Sequence, residues 1–307
     1  MDVTSPPRTT LRGLAIASLV ANMVIVWTGA LVRLTGSGLG CPTWPQCEPG
    51  SFVATPEMGI HGAIEFGNRL LTFVLAGIAL STWLLARREA RAGRVPERMP
   101  VVAFAVGLGI IAQAVVGGIS VLLQLNPWIV GLHMFVSVFL ILACVLLVHD
   151  AQRTPRASAP LRLARLTEVV FALGIVVVAL GVVVTGAGPH AGDGGAARND
   201  LSTEWTAKVH AWSVWVLLAL TLLGLLWAWS DTRLRRLWQG LLAAELLQGL
   251  IGYVQYFTHL PVGVVIAHMV GTTVFTAALG HLWLLAGAGP PQKTSGSTAA
   301  AMKTSAR

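Results

Sequence analysis

Two stretches decide the fold: Gln113–Met134, QAVVGGISVLLQLNPWIVGLHM, and Gln248–Met269, QGLIGYVQYFTHLPVGVVIAHM. Each opens on a glutamine, carries a glycine four residues later and closes on His-Met, with the histidine 20 residues after the glutamine. Each is an apolar run, a short break and a second apolar run, the pattern of two antiparallel helices joined by a tight turn. A second pair of matching segments lies outside them: Thr35-Gly36-Ser37-Gly38 and Thr185-Gly186-Ala187-Gly188. The chain therefore reads as two halves of four helices each, 1–155 and 156–287. A Gly/Ser/Thr/Ala-rich tail over 288–307 follows and is expected to be a disordered cytoplasmic tail.

The composition says where those helices reside. Of 307 residues, 55% are hydrophobic and 11% charged, against about 25% charged in an ordinary soluble domain. A soluble single-core globule and a disordered chain are both excluded. Eight apolar blocks stand out, 12–32, 61–86, 100–124, 130–148, 166–187, 208–229, 237–257 and 263–286. A helix of about 20 apolar residues crosses a bilayer. With the N-terminus inside, every Lys and Arg falls on the cytoplasmic side except Arg33, Arg69, Arg198 and Lys208. This is the positive-inside pattern, so the net charge of +8 reports topology, and no nucleic-acid partner is expected. The first block is a full-length span without a small-residue cleavage site, so no cleavable signal peptide is expected. The fold class is an all-α integral membrane protein, with eight transmembrane helices in two parallel four-helix-bundle repeats and both termini cytoplasmic. Four spans return the chain to its starting side, which makes the repeats parallel.

Four of the eight histidines, His61, His133, His210 and His268, fall near the outer ends of the second, fourth, sixth and eighth spans. Two imidazoles on facing helices of a four-helix bundle suit the axial positions of a haem iron. Zinc asks for three or four ligands, and a proton relay would want a chain of carboxylates, whereas beyond Glu168 at the cytoplasmic start of the fifth span the spans offer only Glu65 and Glu245. One histidine pair per half gives two potential haem sites. His149, His190, His259 and His281 read as interfacial or loop residues, and Cys144 as a small buried apolar residue.

The segment 29–47, GALVRLTGSGLGCPTWPQC, resembles the opening signature of haem A synthases. Glu65-Phe66-Gly67-Asn68-Arg69 is similar to the family's Glu-x-x-His-Arg motif, and Glu204-Trp205 before His210 to its second-half counterpart. The resemblance covers nearly the whole chain. It implies oxidation of the C8 methyl of haem O to a formyl group, giving haem A, with water as the oxygen source. The N-terminal half is then the substrate haem site, and the C-terminal half holds haem b on His210 and His268. His133, with His61, is the expected metal ligand of the first half. Glu65 and Arg69 are the expected catalytic residues, and Cys41 with Cys47 the family's cysteine pair in the first outer loop. Implied partners are haem O, haem O synthase, an electron acceptor and the lipid of the cell membrane; homo-oligomerisation is left open.

The sequence departs from the family at Asn68, where the motif has histidine. Counted from the outer loop, His61 is level with the other ligands; counted from the cytoplasmic end, position 68 is. The substrate haem is held by His133 alone, or with His61 and a shifted haem. Glu65 and Arg69 are four apart on one helix face, either a structural ion pair or a proton acceptor beside the reacting methyl with the arginine that orients it. Arg33 is read as a propionate partner or a snorkelling interfacial residue. The Cys41–Cys47 pair is structural or redox-active, and Glu245 with Gln248 either a buried hydrogen-bonded pair or part of a proton path. The competing reading of the whole is a bis-histidine haem b electron-transfer protein without substrate chemistry.

Overall fold

The computed structural model describes residues 9–287. The expected disordered tail, 288–307, lies outside the described residues. Eight long helices account for the fold: α1 Thr9–Leu34, α2 Gly59–Arg91, α3 Arg98–Leu122, α4 Pro127–Gln152, α5 Leu161–Ala187, α6 Thr203–Trp227, α7 Thr232–Phe257 and α8 Val262–Ala286. Their starts follow from local chemistry. The Asn126 side chain accepts from Trp128 N–H ahead of α4, Ser202 from Trp205 N–H ahead of α6, and Asp231 from Arg233 and Leu234 N–H ahead of α7. Each satisfies an amide that the first helical turn leaves unpaired. Most of the helices run several residues past the apolar blocks, α2 as far as Arg91. A charged helical end can continue into the headgroup layer, so apolarity alone marks the ends short.

Seven of the eight helices are long and apolar enough to cross a membrane. The expectation of eight spans fails on that measure at α7. Gln239, Glu245, Gln248 and Gln255 interrupt its apolar run, although its 26 residues equal the length of α1 and α4.

The helices close into two rings. In one, α1 packs on α2 and α4, and α3 packs on α2 and α4; in the other, α5 packs on α6 and α8, and α7 on α6 and α8. The rings meet through α1–α8, α4–α8 and α4–α5, with a hydrogen bond from Trp27 Nε1 to Thr273 Oγ1 (2.9 Å) across the seam. The α3–α4 and α7–α8 turns share one backbone geometry. Gln124 and Leu125 have φ of 50° and 59°, and His259 and Leu260 have 62° and 60°. Leu125 N–H donates to Ser120 O and Leu260 N–H to Gln255 O, at 2.7 and 2.8 Å. Left-handed conformations in non-glycine residues are uncommon, so this agreement between the two turns is specific. Cys144 is fully buried, as expected, with Asn22 donating to its sulfur.

At the outer ends the two long loops dock on each other. Gly38 N–H donates to Gly192 O (2.8 Å), and Arg33 donates from Nε to His190 O (2.6 Å) and from its terminal nitrogen to Thr185 O (2.9 Å). His190 in turn bonds the Leu260 carbonyl (3.0 Å). Arg33 thus clamps the second outer loop to α5, a role neither of its two expected readings included. Replacing Arg33 with Ala is predicted to release residues 188–202. Amide exchange there should quicken about tenfold, equivalent to about 1.4 kcal/mol, while the helices stay protected; unchanged exchange in this loop would contradict the clamp.

Candidate functional site

The spacing of 20 between glutamine and histidine has a direct structural cause. Gln113 Nε2 donates to the His133 carbonyl (2.8 Å) and to Ser137 Oγ (2.5 Å). Gln248 Nε2 donates to the His268 carbonyl (3.0 Å) and to Thr272 Oγ1 (3.0 Å). Ser137 and Thr272 also donate to the same histidine carbonyls. Each amide therefore fixes the helix turn from which the histidine projects. His133 and His268 are each the seventh residue of their helix, so the two grips sit at matching depth.

The glycines complete the arrangement. A Cβ at Gly117 would lie 3.2 Å from the His133 ring, at Gly252 3.5 Å from the His268 ring, and at Gly181 3.2 Å from the His210 ring. Each imidazole thus approaches bare helix backbone with its Cε1 edge nearest. The His210 Nδ1–H donates to Val177 O (3.1 Å). A carbonyl can only accept, so Nδ1 carries the proton and Nε2 keeps its lone pair free for a metal. His210 on α6 and His268 on α8 stand on opposite helices of the second ring. The buried Nδ1 atoms of His133 and His268 have no hydrogen-bond partner. Imidazole donors and glycine-lined backbone together fit a haem.

His61 is placed differently. It is the third residue of α2, exposed at the outer end, with Nδ1 2.8 Å from Ser37 Oγ. A Cβ at Gly40 would fall 2.2 Å from its carbonyl oxygen, so the first outer loop lies directly against this turn. Asn68, two turns further into α2, accepts at Oδ1 from Thr28 Oγ1 of α1 (2.7 Å). His61 is thus engaged with the first outer loop through Ser37.

Glu65 and Arg69 form an ion pair of 2.6 Å, and both reach into the first outer loop. Glu65 Oε2 accepts from Cys41 N–H (2.7 Å). Arg69 donates to the carbonyls of Cys41, Thr43 and Gln46 at 3.0–3.2 Å. Cys41 and Cys47 are joined by a disulfide and are fully buried. Trp44, between them, packs so closely on α3 that a Cβ at Gly118 would meet its ring. The carboxylate, the guanidinium and the disulfide loop are therefore one unit lying over the first ring. Glu65, at 5% exposure, is shielded by that loop.

Two features escape the sequence reading. His149 and His281 are not separate interfacial residues: His149 Nε2 lies 2.8 Å from His281 Nδ1 across the α4–α8 seam. The residues are 132 positions apart, close to the 135 that relate Gln113 to Gln248, and that near-coincidence was the available signal. Glu245 does not bond Gln248. Its Oε1 accepts from Thr221 Oγ1 of α6 (2.8 Å), a partner that helix periodicity within α7 cannot reveal.

Residues 12–280 match the family model COX15-CtaA, described as cytochrome oxidase assembly protein. The chain is similar to a heme A synthase of Lysinibacillus sphaericus, 34% identical over 144 residues covering 46% of this chain and 45% of that protein. It is also similar to heme A synthases of Listeria welshimeri, 32% identical over 143 residues (45% and 44%), and Bacillus licheniformis, 27% over 157 residues (48% and 49%). The matched stretch thus spans just under half the length of these relatives.

The cysteine chemistry yields a direct prediction. Under denaturing conditions without reductant, a thiol reagent should label Cys144 alone, and after reduction all three cysteines. Labelling of all three before reduction would contradict the disulfide.

Proposed function

The chain belongs to the COX15-CtaA family of cytochrome oxidase assembly proteins, and from that premise we propose that it is a haem A synthase, oxidising the C8 methyl of haem O to a formyl group. In this reading α7 also crosses the membrane, as the seventh of eight spans, the two rings are parallel repeats, and both termini are cytoplasmic in the plasma membrane. The first half, 1–155, takes haem O as substrate on His133, with His61 available only if the haem sits toward the outer loop. The second half, 156–287, holds haem b on His210 and His268. Haem O synthase and an electron acceptor are its proposed partners.

The observation that carries the proposal is the duplicated grip of Gln113 on the His133 carbonyl and Gln248 on the His268 carbonyl. Both fix an imidazole against a glycine inside a ring of four helices. An amide donor used only for stability need not recur at the same depth in both rings. The rings then diverge in a way that suits a division of labour. The second carries His210 and His268, each packed on a glycine, on the two opposite helices of its ring, an arrangement that suits a permanent bis-histidine site. The first replaces the second ligand by Asn68 and adds Glu65, Arg69 and the disulfide loop. An iron with an incomplete ligand set suits a substrate that must enter and leave.

Turning a methyl and one water into a formyl group releases four electrons and four protons. Bound haem supplies the one-electron redox chemistry when present. The protein's own part is to receive protons and exclude bulk water. Glu65 accepts a proton at Oε2, the oxygen that the Cys41 amide now holds, and Arg69 keeps the carboxylate anionic until then. Trp44 and the disulfide loop cover the site. The engagement of both Glu65 oxygens with the loop and Arg69 equally favours the alternative, an electron-transfer protein in which Glu65 is structural.

Two experiments test this. Replacing His210 or His268 with Ala is expected to abolish or convert a low-spin haem b spectrum in the purified protein; unchanged haem content and spectrum in both variants would contradict the second-ring site. Glu65→Gln is expected to retain haem b and lower haem A formation at least tenfold, about 1.4 kcal/mol or more on the barrier. Haem A formation at the wild-type rate in Glu65→Gln would favour the electron-transfer reading.

A further inference from the structure

Leu234, Trp238, Leu241, Glu245, Gln248 and Gly252 lie on one stripe of α7, spaced three and four apart. Gly252 and Gln248 face His268, so the stripe lines the interior of the second ring. Glu245 is one helical turn from Gln248 toward the cytoplasmic end. It is 5% exposed; Oε1 accepts from Thr221 Oγ1, and Oε2 has no hydrogen-bond partner. The Trp238 Nε1–H, two turns further along the stripe, is fully buried and equally unpartnered.

A carboxyl group in this position is costly, and an ionised one more so. Charged or titratable groups on the helices packed against α7 lie elsewhere along the bundle. On α6 these are Glu204 and Lys208, paired with each other at the outer end, and His210. On α8 they are His268 and His281. On α7 itself, Arg233, Arg235 and Arg236 stand at the cytoplasmic start. No cation bonds Glu245 among the described residues. The first ring has no counterpart, since the position 135 residues earlier is Ile110. The group is therefore particular to the ring assigned the permanent haem.

We propose that Glu245 is a redox-coupled proton site: its carboxylate takes up one proton at Oε2 when the haem of the second ring gains one electron, and releases it when that electron leaves. The inference rests on the proposed haem b. The physical reason is charge repulsion in a ring of low dielectric, where an added electron and a carboxylate disfavour each other until a proton neutralises one of them. Reduction thus raises the group's proton affinity, and the midpoint potential falls as pH rises.

The test is a redox titration of the purified, haem-loaded protein over a pH series, following the low-spin haem absorbance, with redox-difference infrared spectra of the same samples. The wild-type midpoint is expected to fall with a slope approaching about 59 mV per pH unit, and a carboxylic C=O band should appear on reduction. Glu245→Gln should flatten the slope and remove the band. Thr221→Val, which keeps the carboxyl, should keep the slope and shift the band. A wild-type slope retained in Glu245→Gln, or a bound haem with a pH-independent midpoint and no carboxylic band in the wild type, would overturn the inference and leave the haem site standing. A wild-type protein without low-spin haem would overturn the haem reading and this inference with it.

Discussion

The amide of Gln248 donates to two acceptors one turn apart on α8, the His268 carbonyl and Thr272 Oγ1, and the second ring is arranged around that grip. Within a bilayer, water is not available to satisfy a buried amide, so such a group must find its partners on a neighbouring helix. Once found, they fix the depth and rotation of α7 against α8. Gln113 does the same for α3 against α4. Apolar packing would tolerate sliding of one helix past another, because lipid and leucine are nearly equivalent environments. Two donors and a glycine opposite each imidazole leave little such freedom.

The same constraint explains how one architecture supports two different sites. Both rings keep the glutamine, the histidine on the last helix and the glycine it lies against. They differ in what the second helix presents. In α6 it is His210, oriented by the Val177 carbonyl. In α2 it is Asn68, tied to Thr28, with Glu65 and Arg69 turned into the disulfide loop. Arg33 then fastens the second outer loop beside the first. The two long loops are thus docked on each other, held by Glu65, Arg69 and Arg33 of the first ring and, through His190, by the Leu260 carbonyl of the second.

Much of this was legible in the sequence. The apolar blocks gave the helices because period and length survive any detail of packing. The matched spacing from glutamine to histidine reflects a real contact, although the acceptor is the backbone carbonyl rather than the ring. What remained hidden depends on relations that no single helix encodes. The His149–His281 contact needs the register of α4 on α8. The bond from Cys41 N–H to Glu65 needs the path of an irregular loop. Arg33 reads as interfacial until the second outer loop is seen to supply its acceptors. At α7 the polar side chains that make it a poor apolar span, Glu245 and Gln248, are the ones bonded to Thr221 and to α8.

In the proposed division of labour the two rings hold chemically different haems and the first converts its own. Chromatographic resolution of the haems extracted from the protein, purified from cells that make haem O, distinguishes the two. Haem b together with haem A is expected. Haem b alone, from cells whose extracts contain haem O, would contradict it.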